Sequence, residues 1–414
     1  MTLHFTHFRQ ALHRFIWYEP FWLLLLGIFI TLPGKVLPFA WHPYVLVAVF
    51  LFWPLRWLSR HQTQAIQPIT IPLLLMLFCL PVNLWASVDQ SISLVAAGYF
   101  LWGAALCLAF TNWSFARIHP KRIAWFLLLC GVGLAIISPP LVAWKSDFRL
   151  FYLPLYDKLA SLPIDLGDTI HANVLAGALV IILPLLLALA LQKSHRLLFI
   201  VLFLFVAGVL VLTQSRGGYL AVAVALPFVV MLRWPRLLYV LLPSLLVAIL
   251  VVQQLDLQIL LEQLSTDSSV GGWEGRLDIW TQSLNALYDF AFTGIGIGTF
   301  TIVIPLLYPL RVSIEGYPHA HNLFLQIGID LGIPGLIAYL ALLINLFVML
   351  FAILRTQHIT ALHRTMAIGA TGSLVALLVH GLLDAVTWGT KLAFMPWLLF
   401  SLITLLFLNV VEHK

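Results

Sequence analysis

The sequence predicts an all-α polytopic membrane protein, with about twelve transmembrane helices and a large, partly helical loop on the outer side. Of its 414 residues, 62% are hydrophobic and only 9% are charged, with a mean hydropathy of +1.02. A soluble domain of this size needs far more charge to cover its surface. Apolar runs of roughly 20 residues recur along the chain, the length that crosses a hydrocarbon core of about 30 Å. Strand-like alternation is absent, so helices rather than a barrel must satisfy the backbone.

The segment Met1 to Glu19 is basic and mixed, with Arg9, His13 and Arg14, and reads as an interfacial helix rather than a cleavable leader. Spans are expected near 20–34, 43–58, 68–87, 91–112, 123–144, 171–192, 197–214, 217–232, 237–254, 323–354, 365–384 and 392–410. With a cytoplasmic N-terminus both ends lie inside, and of the 22 lysines and arginines fourteen fall on the inner side and eight on the outer. Nearly all acidic residues then lie outside, Glu19 and Glu412 excepted. Orientation therefore accounts for the net charge of +6, and no nucleic-acid partner is expected. Cys79, Cys107 and Cys130 lie in apolar runs without metal-ligand spacing and read as small buried hydrophobes. Residues 1–414 form one transmembrane domain in which two outer loops exceed the rest, 145–170 and 255–322, the second between the ninth and tenth spans. Long ordered loops in a compact protein usually carry function.

Ionisable groups at membrane depth are costly and ask for a reason. Arg216, in Thr213-Gln214-Ser215-Arg216-Gly217-Gly218-Tyr219, sits between two apolar runs on the side where positive charge is disfavoured. A snorkelling arginine at a helical hairpin is one reading. Ser215 and the glycine pair favour a site, because glycine admits close approach to the backbone and a guanidinium offers five fixed donors to an anion. Arg276, in Gly275-Arg276-Leu277-Asp278-Ile279-Trp280, opens a helix expected over 274–290. Leu277, Trp280, Leu284 and Leu287 recur there at three-to-four spacing, which predicts an amphipathic helix at the interface. The helix dipole disfavours a cation at that end, so an anionic ligand explains Arg276, with a surface pair to Asp278 or Glu274 as the alternative.

Thr293-Gly294-Ile295-Gly296-Ile297-Gly298-Thr299-Phe300 has a glycine spacing superficially like a nucleotide-binding loop, but no strand precedes it and no βαβ unit is available. A flexible turn that folds the loop back onto the bundle is expected instead. In Tyr317-Pro318-His319-Ala320-His321-Asn322 the histidines stand two apart, which on a helix points them to different faces, so no metal site is expected. One histidine at a helix start beside Asn322 reads as an acid/base or hydrogen-bonding group, a plain interfacial histidine being the alternative. Gly332 and Pro334 can break the following helix and open a cavity at that depth. Further candidates for a site wall are His380 and Asp384, four apart on one apolar helix, Asp330 within a span, and Asp168 with His171 at the start of another.

Arginines and a histidine on the outer face, with no nucleotide-binding motif and no Asp-x-Asp, imply a transferred group that arrives already activated and needs no cofactor. A polyprenyl-diphosphate-linked glycan fits. Arg216 and Arg276 would hold the diphosphate and stabilise its leaving charge, and an apolar groove would take the lipid. A neutral histidine would take the proton from an acceptor hydroxyl.

In this order, Ser-Arg-Gly-Gly, Gly-Arg-Leu-Asp-Ile-Trp, Thr-Gly-Ile-Gly-Ile-Gly-Thr-Phe, and His-Ala-His-Asn-Leu-Phe-Leu-Gln with Gly-Ile-Pro-Gly-Leu resemble the O-antigen ligase and polymerase superfamily, over residues 197–355. The resemblance implies a metal-independent glycosyltransferase of the bacterial inner membrane, its helical outer loop capping a cavity that faces the periplasm. It makes Arg216 and Arg276 diphosphate-binding residues and His321 the acceptor-activating base, although His319, an extra histidine, leaves that choice open. Implied partners are the lipid-linked donor, a glycan, lipid A-core or protein acceptor, and the bilayer. Ligase chemistry is favoured by the number of spans and the one dominant late loop, with polymerisation of repeat units as the alternative. A secondary transporter of a small solute such as bicarbonate is the rival class; it predicts internal repeats and midplane ionisable groups, and the polar residues cluster at the outer edge instead.

Overall fold

A computed structural model describes residues 2–31, 41–59, 67–144, 154–162, 169–237, 239, 273–311 and 318–412. The chain begins with α1 (Thr2–Trp17) and α2 (Glu19–Thr31), which meet at 58°. The basic amphipathic segment thus turns away from the first apolar helix, as a segment lying along a membrane surface would. The Phe15 ring fixes this corner by stacking on Trp22 and on Phe52 of α3 (His42–Ser59), at centroid distances of 5.3 and 5.8 Å. Glu19, an exception in the charge count, is buried at the start of α2 and accepts from the Arg56 guanidinium, Nε to Oε2 being 2.6 Å. A carboxylate in that place is tolerable because it is paired.

α4 (Thr70–Ala86), α5 (Gln90–Asn112), the short α6 (Ser114–Ile118) and α7 (Pro120–Leu141) follow. A two-residue parallel bridge joins β1 (Val142–Ala143) to β2 (Ile170–His171), with α8 (Leu155–Ala160) between them in sequence. Next come α9 (Ala172–Ala190), α10 (Arg196–Thr213) and α11 (Arg216–Arg233), then α12 (Trp273–Asp289), α13 (Phe300–Leu307), α14 (Leu323–Arg355), α15 (Ala361–Gly381) and α16 (Phe394–Glu412). Among the described residues eight helices are long and apolar enough to cross a membrane, or nine if the bent α1–α2 pair is one span, and α3 and α4 add two shorter apolar helices. Nearly all of the span expected at 237–254, loop residues 255–272 and 312–317, and most of 145–170, Asp168 included, lie outside the described residues.

α5, α9 and α16 are buried along most of their length, whereas in α10 and α11 fewer than a third of the residues are buried. α9 packs against α10, α11 and α15, and α5 against α16. Small residues allow the close approach that drives helix association in lipid. The Trp102 indole lies over Gly27, where a Cβ would come within 1.9 Å of it, and its Nε1 donates to the Leu23 carbonyl at 2.8 Å.

Two breaks shape the end of the bundle that matters below. α14 is interrupted at Gly332 (φ 74°), and the N–H of Ile333 donates to the Ala291 carbonyl at 2.6 Å. The kink expected from Gly332 and Pro334 is therefore a docking notch, since a Cβ at Gly332 would stand 2.8 Å from the Ala291 oxygen. Into it folds the glycine loop, with Gly294, Gly296 and Gly298 all at positive φ. The turn is stitched down: Ile295 N–H donates to the Ile329 carbonyl and Ile297 N–H to Asn83 Oδ1, both at 2.8 Å. α12 keeps part of the expected packed face, with Trp280 against the core cluster and Leu287 beside Gly328, and differs in the rest. Leu277 and Leu284 stay exposed, while Ile279, Ser283 and Ala286 are buried, the apolar pair clustering with Ile295, Phe300 and Ile304.

Candidate functional site

The starts of α5, α9, α11 and α14 and the end of α15 lie at one end of the bundle, which holds a cavity of about 660 Å³. Its apolar wall is Ile92, Val95, Ala96 and Tyr99 of α5 with Val174 of α9. The polar side carries His171, Asn173, His319, His321, Gln326, Asp330 and Lys391.

The histidine segment is a pinned turn that leads directly into the N-cap of α14, so His321 stands at a helix start but outside the helix. His321 adopts a left-handed conformation (φ 47°), which costs energy for a residue with a Cβ. The neighbouring groups hold it there. His321 N–H donates to His319 Nδ1 at 3.2 Å, Ala320 N–H donates to Gln326 Oε1 at 2.8 Å, and Trp280 Nε1 of α12 donates to the Ala320 carbonyl at 3.0 Å. Asn322 caps α14, its Oδ1 accepting from Phe324 and Leu325 N–H at 3.0 Å, and its Nδ2 donates to the Leu382 carbonyl at 3.2 Å. On a helix, side chains at i and i+2 diverge; in this turn the two histidine rings lie 4.5 Å apart.

Asp384 meets them from the other side. α15 ends at Gly381, three residues before the expected boundary, but Asp384 N–H still donates to the His380 carbonyl at 2.9 Å and the two side chains remain close enough to interact electrostatically. Its Oδ1 lies 3.2 Å from His319 Nε2 and 3.6 Å from His321 Nδ1, and its Oδ2 accepts from Asn173 Nδ2 at 3.1 Å. Burial pushes the Asp384 carboxyl up, but His319, His321, His380 and Arg276 outweigh it and hold the group below its ordinary range. Burial lowers both imidazoles: His319 is depressed against the pull of Asp384, and His321, further lowered by His319, Arg276 and His171, is pushed down to about 3. The site thus holds neutral histidines beside an ionised carboxylate.

His319, His321 and Asp384 offer ligand atoms within 4.8 Å of one another, which raises the question of a metal ion. The hydrogen bonds of His319 do not suit ligation through its Nε2. His319 Nδ1 accepts the His321 N–H, so the neutral ring carries its proton on Nε2, facing Asp384. Ligation through Nε2 would move that proton to Nδ1 and set two donors against each other, whereas a ligating histidine needs an acceptor there.

Arg276, in the first turns of α12, is near enough for its charge to act on His319, His321, His380 and Asp384. Asp278 accepts from the Arg311 N–H at 2.7 Å. Arg216 is exposed at the start of α11, and neither arginine is among the described residues lining the cavity. Ser215 is the N-cap of α11, its Oγ accepting from Gly218 N–H at 3.2 Å. His380 is fully buried beside Gly177 and Gly217, and Asp330 lines the cavity from α14. Sequence reasoning singled out neither Asn173, Gln326, Trp388 nor Lys391. Gln326 carried a signal, a polar residue four before Asp330 in an apolar span; the others had none.

These features define a multi-pass membrane protein with a cavity at one end of its bundle, where two neutral histidines of the lining meet a buried carboxylate and the charge of Arg276 is close by. Residues 201–340 match the family model described as O-Antigen ligase, a stretch holding both arginines, the glycine loop and the histidine turn, with Asp384 beyond it. The match supports membership of the O-antigen ligase superfamily and a glycosyltransferase-like enzyme in general, and lends nothing to the transporter alternative. No curated protein matches the chain.

Proposed function

We propose that this protein is a metal-independent glycosyltransferase of the ligase type, moving a glycan from a polyprenyl-diphosphate carrier to an acceptor hydroxyl. In this reading it spans the bacterial inner membrane about twelve times, with both termini cytoplasmic and the cavity facing the periplasm beneath the 255–322 loop. The observation that carries it is the His321–Asp384 contact at the cavity wall. With its Nδ1 proton directed at Asp384, a neutral His321 keeps the Nε2 lone pair for the proton of the attacking hydroxyl. The hydroxyl oxygen bonds to the anomeric carbon, the bond to the diphosphate breaks, and that pair of electrons leaves on a diphosphate held by Arg276 and Arg216. The apolar wall of α5 offers a surface to the polyprenyl chain. His319, with Nε2 protonated and Nδ1 occupied, is a poor base; it orients Asp384 and the turn.

The test is transfer by purified protein in liposomes containing an undecaprenyl-diphosphate-linked glycan and, separately, lipid A-core, peptide or glycan acceptors. Product with wild type and none with folded His321→Ala is expected. Elongation of the donor itself would move the assignment to a polymerase. Solute flux with no glycosylated product would overturn it.

A further inference from the structure

One buried, densely hydrogen-bonded side chain at the cavity has no part in that chemistry. Asp330, 1% exposed, accepts at Oδ1 from Gln326 Nε2 (2.9 Å), at Oδ2 from Trp388 Nε1 (2.8 Å), and from the Gly298 N–H. Its carbonyl accepts from Asn83 Nδ2. One carboxylate therefore ties α14 to the glycine loop and to the segment after α15. Because Asp330 accepts from Nε2, the Gln326 amide can present only its oxygen upward, and that oxygen takes the Ala320 N–H between the two histidines. A buried carboxylate in a span is costly and calls for a purpose, and a glycine-loop latch could be made from backbone bonds alone, as Ile295 already shows.

We infer that Gln326 and Asp330 are a positioning pair that holds the histidine turn, and so His321, in its left-handed reactive conformation. The inference rests on the reading of His321 as the base. The chain Asp330–Gln326–Ala320 N–H fixes the amide next to the residue whose φ is strained, and without it the turn can relax. Neither side chain is asked to touch the reacting atoms.

The test uses the full-length protein in the liposome transfer assay. Gln326→Met keeps the volume and loses both bonds while leaving Trp388 and Gly298 on Asp330; Asp330→Asn keeps the shape and sets a donor against donors. Each is expected to lower kcat on the order of 10²-fold with donor KM changed by less than about threefold. Because both break one relay, the double variant should be no slower than the worse single. Wild-type kcat in monodisperse Gln326→Met would overturn the proposal, as would a raised KM with kcat intact or multiplicative losses in the double variant. Should Asp330→Asn fail to fold, Gln326→Met decides alone. Histidine-labelled NMR reads the relay without any turnover: Gln326→Met should move the His321 ring signals, and unmoved signals sink the inference. Full transfer by His321→Ala would instead sink the base reading.

Discussion

Replacing Asp384 by Asn removes one charge and almost no volume, and its consequences follow from the donors around it. Oδ1 faces His319 Nε2 and also accepts the Ala385 N–H at 2.9 Å, while Oδ2 faces Asn173 Nδ2. An amide NH2 at the Oδ1 position would meet two donors, so it must take the Oδ2 position, where Asn173 can flip its own amide to accept. The fold should survive. What is lost is the charge on the hydrogen bond to His319 and the pull on His321 Nδ1, 3.6 Å away. A hydrogen bond to a charged group is worth about 1.5–3 kcal/mol, so at about 1.4 kcal/mol per decade kcat should fall roughly 10- to 150-fold. Asp384→Ala should fall further and lose stability, because it leaves buried donors unanswered. The assay is steady-state transfer in liposomes, with melting temperature in detergent as the control for folding. A monodisperse Asp384→Asn protein with kcat within twofold of wild type would refute the claim that this carboxylate orients the histidines.

The remaining predictions concern the arginines, the histidines and the kink. Arg276→Lys should raise the donor KM about tenfold, since a lysine cannot reproduce a bidentate guanidinium fork, and Arg216→Lys, at an exposed position outside the cavity wall, should do less; equal effects would contradict the geometry. His319 and His321 are held below the ordinary histidine range, so the unfolded chain takes up protons that the folded chain refuses. The stability this represents is present above about pH 6.5 and drains away as pH falls toward 3; the melting temperature should drop between pH 7.5 and 5, and a flat profile would count against neutral buried imidazoles. Gly332→Ala places a Cβ 2.8 Å from the Ala291 oxygen at φ 74° and should cost about 1–3 kcal/mol, visible as a lower melting temperature and loss of transfer.

Helix positions were legible because bilayer thickness and backbone satisfaction leave few choices, and 91–112 against Gln90–Asn112 shows how closely an apolar run marks its helix. Charge placement even flagged Glu19 as an exception, although only the fold supplies Arg56 as the reason. The site was legible in its parts but not in its pairings. His380 and Asp384 read as partners because i, i+4 groups share a helical face; they do stay within electrostatic reach, but the helix stops at Gly381 and Asp384 also reaches a histidine 65 positions earlier in the chain, which no local spacing shows. Likewise the i, i+2 spacing separated His319 from His321 only while the segment was taken as helical. Polar residues flanking the reactive ones are ambiguous for a different reason. Ser215, Asn322 and His171 stand where helices start, and the first N–H groups of a helix need acceptors whatever the protein does. A cap and a site wall use the same residue types, so composition cannot separate them. Hydrogen-bond capacity can: Asn322 has Oδ1 on two backbone donors and Nδ2 on a carbonyl, while Asp384, besides accepting from Asn173 and the Ala385 N–H, turns Oδ1 to two imidazoles. Under the proposed function the orienting role therefore falls to Asp384, which no helix start required.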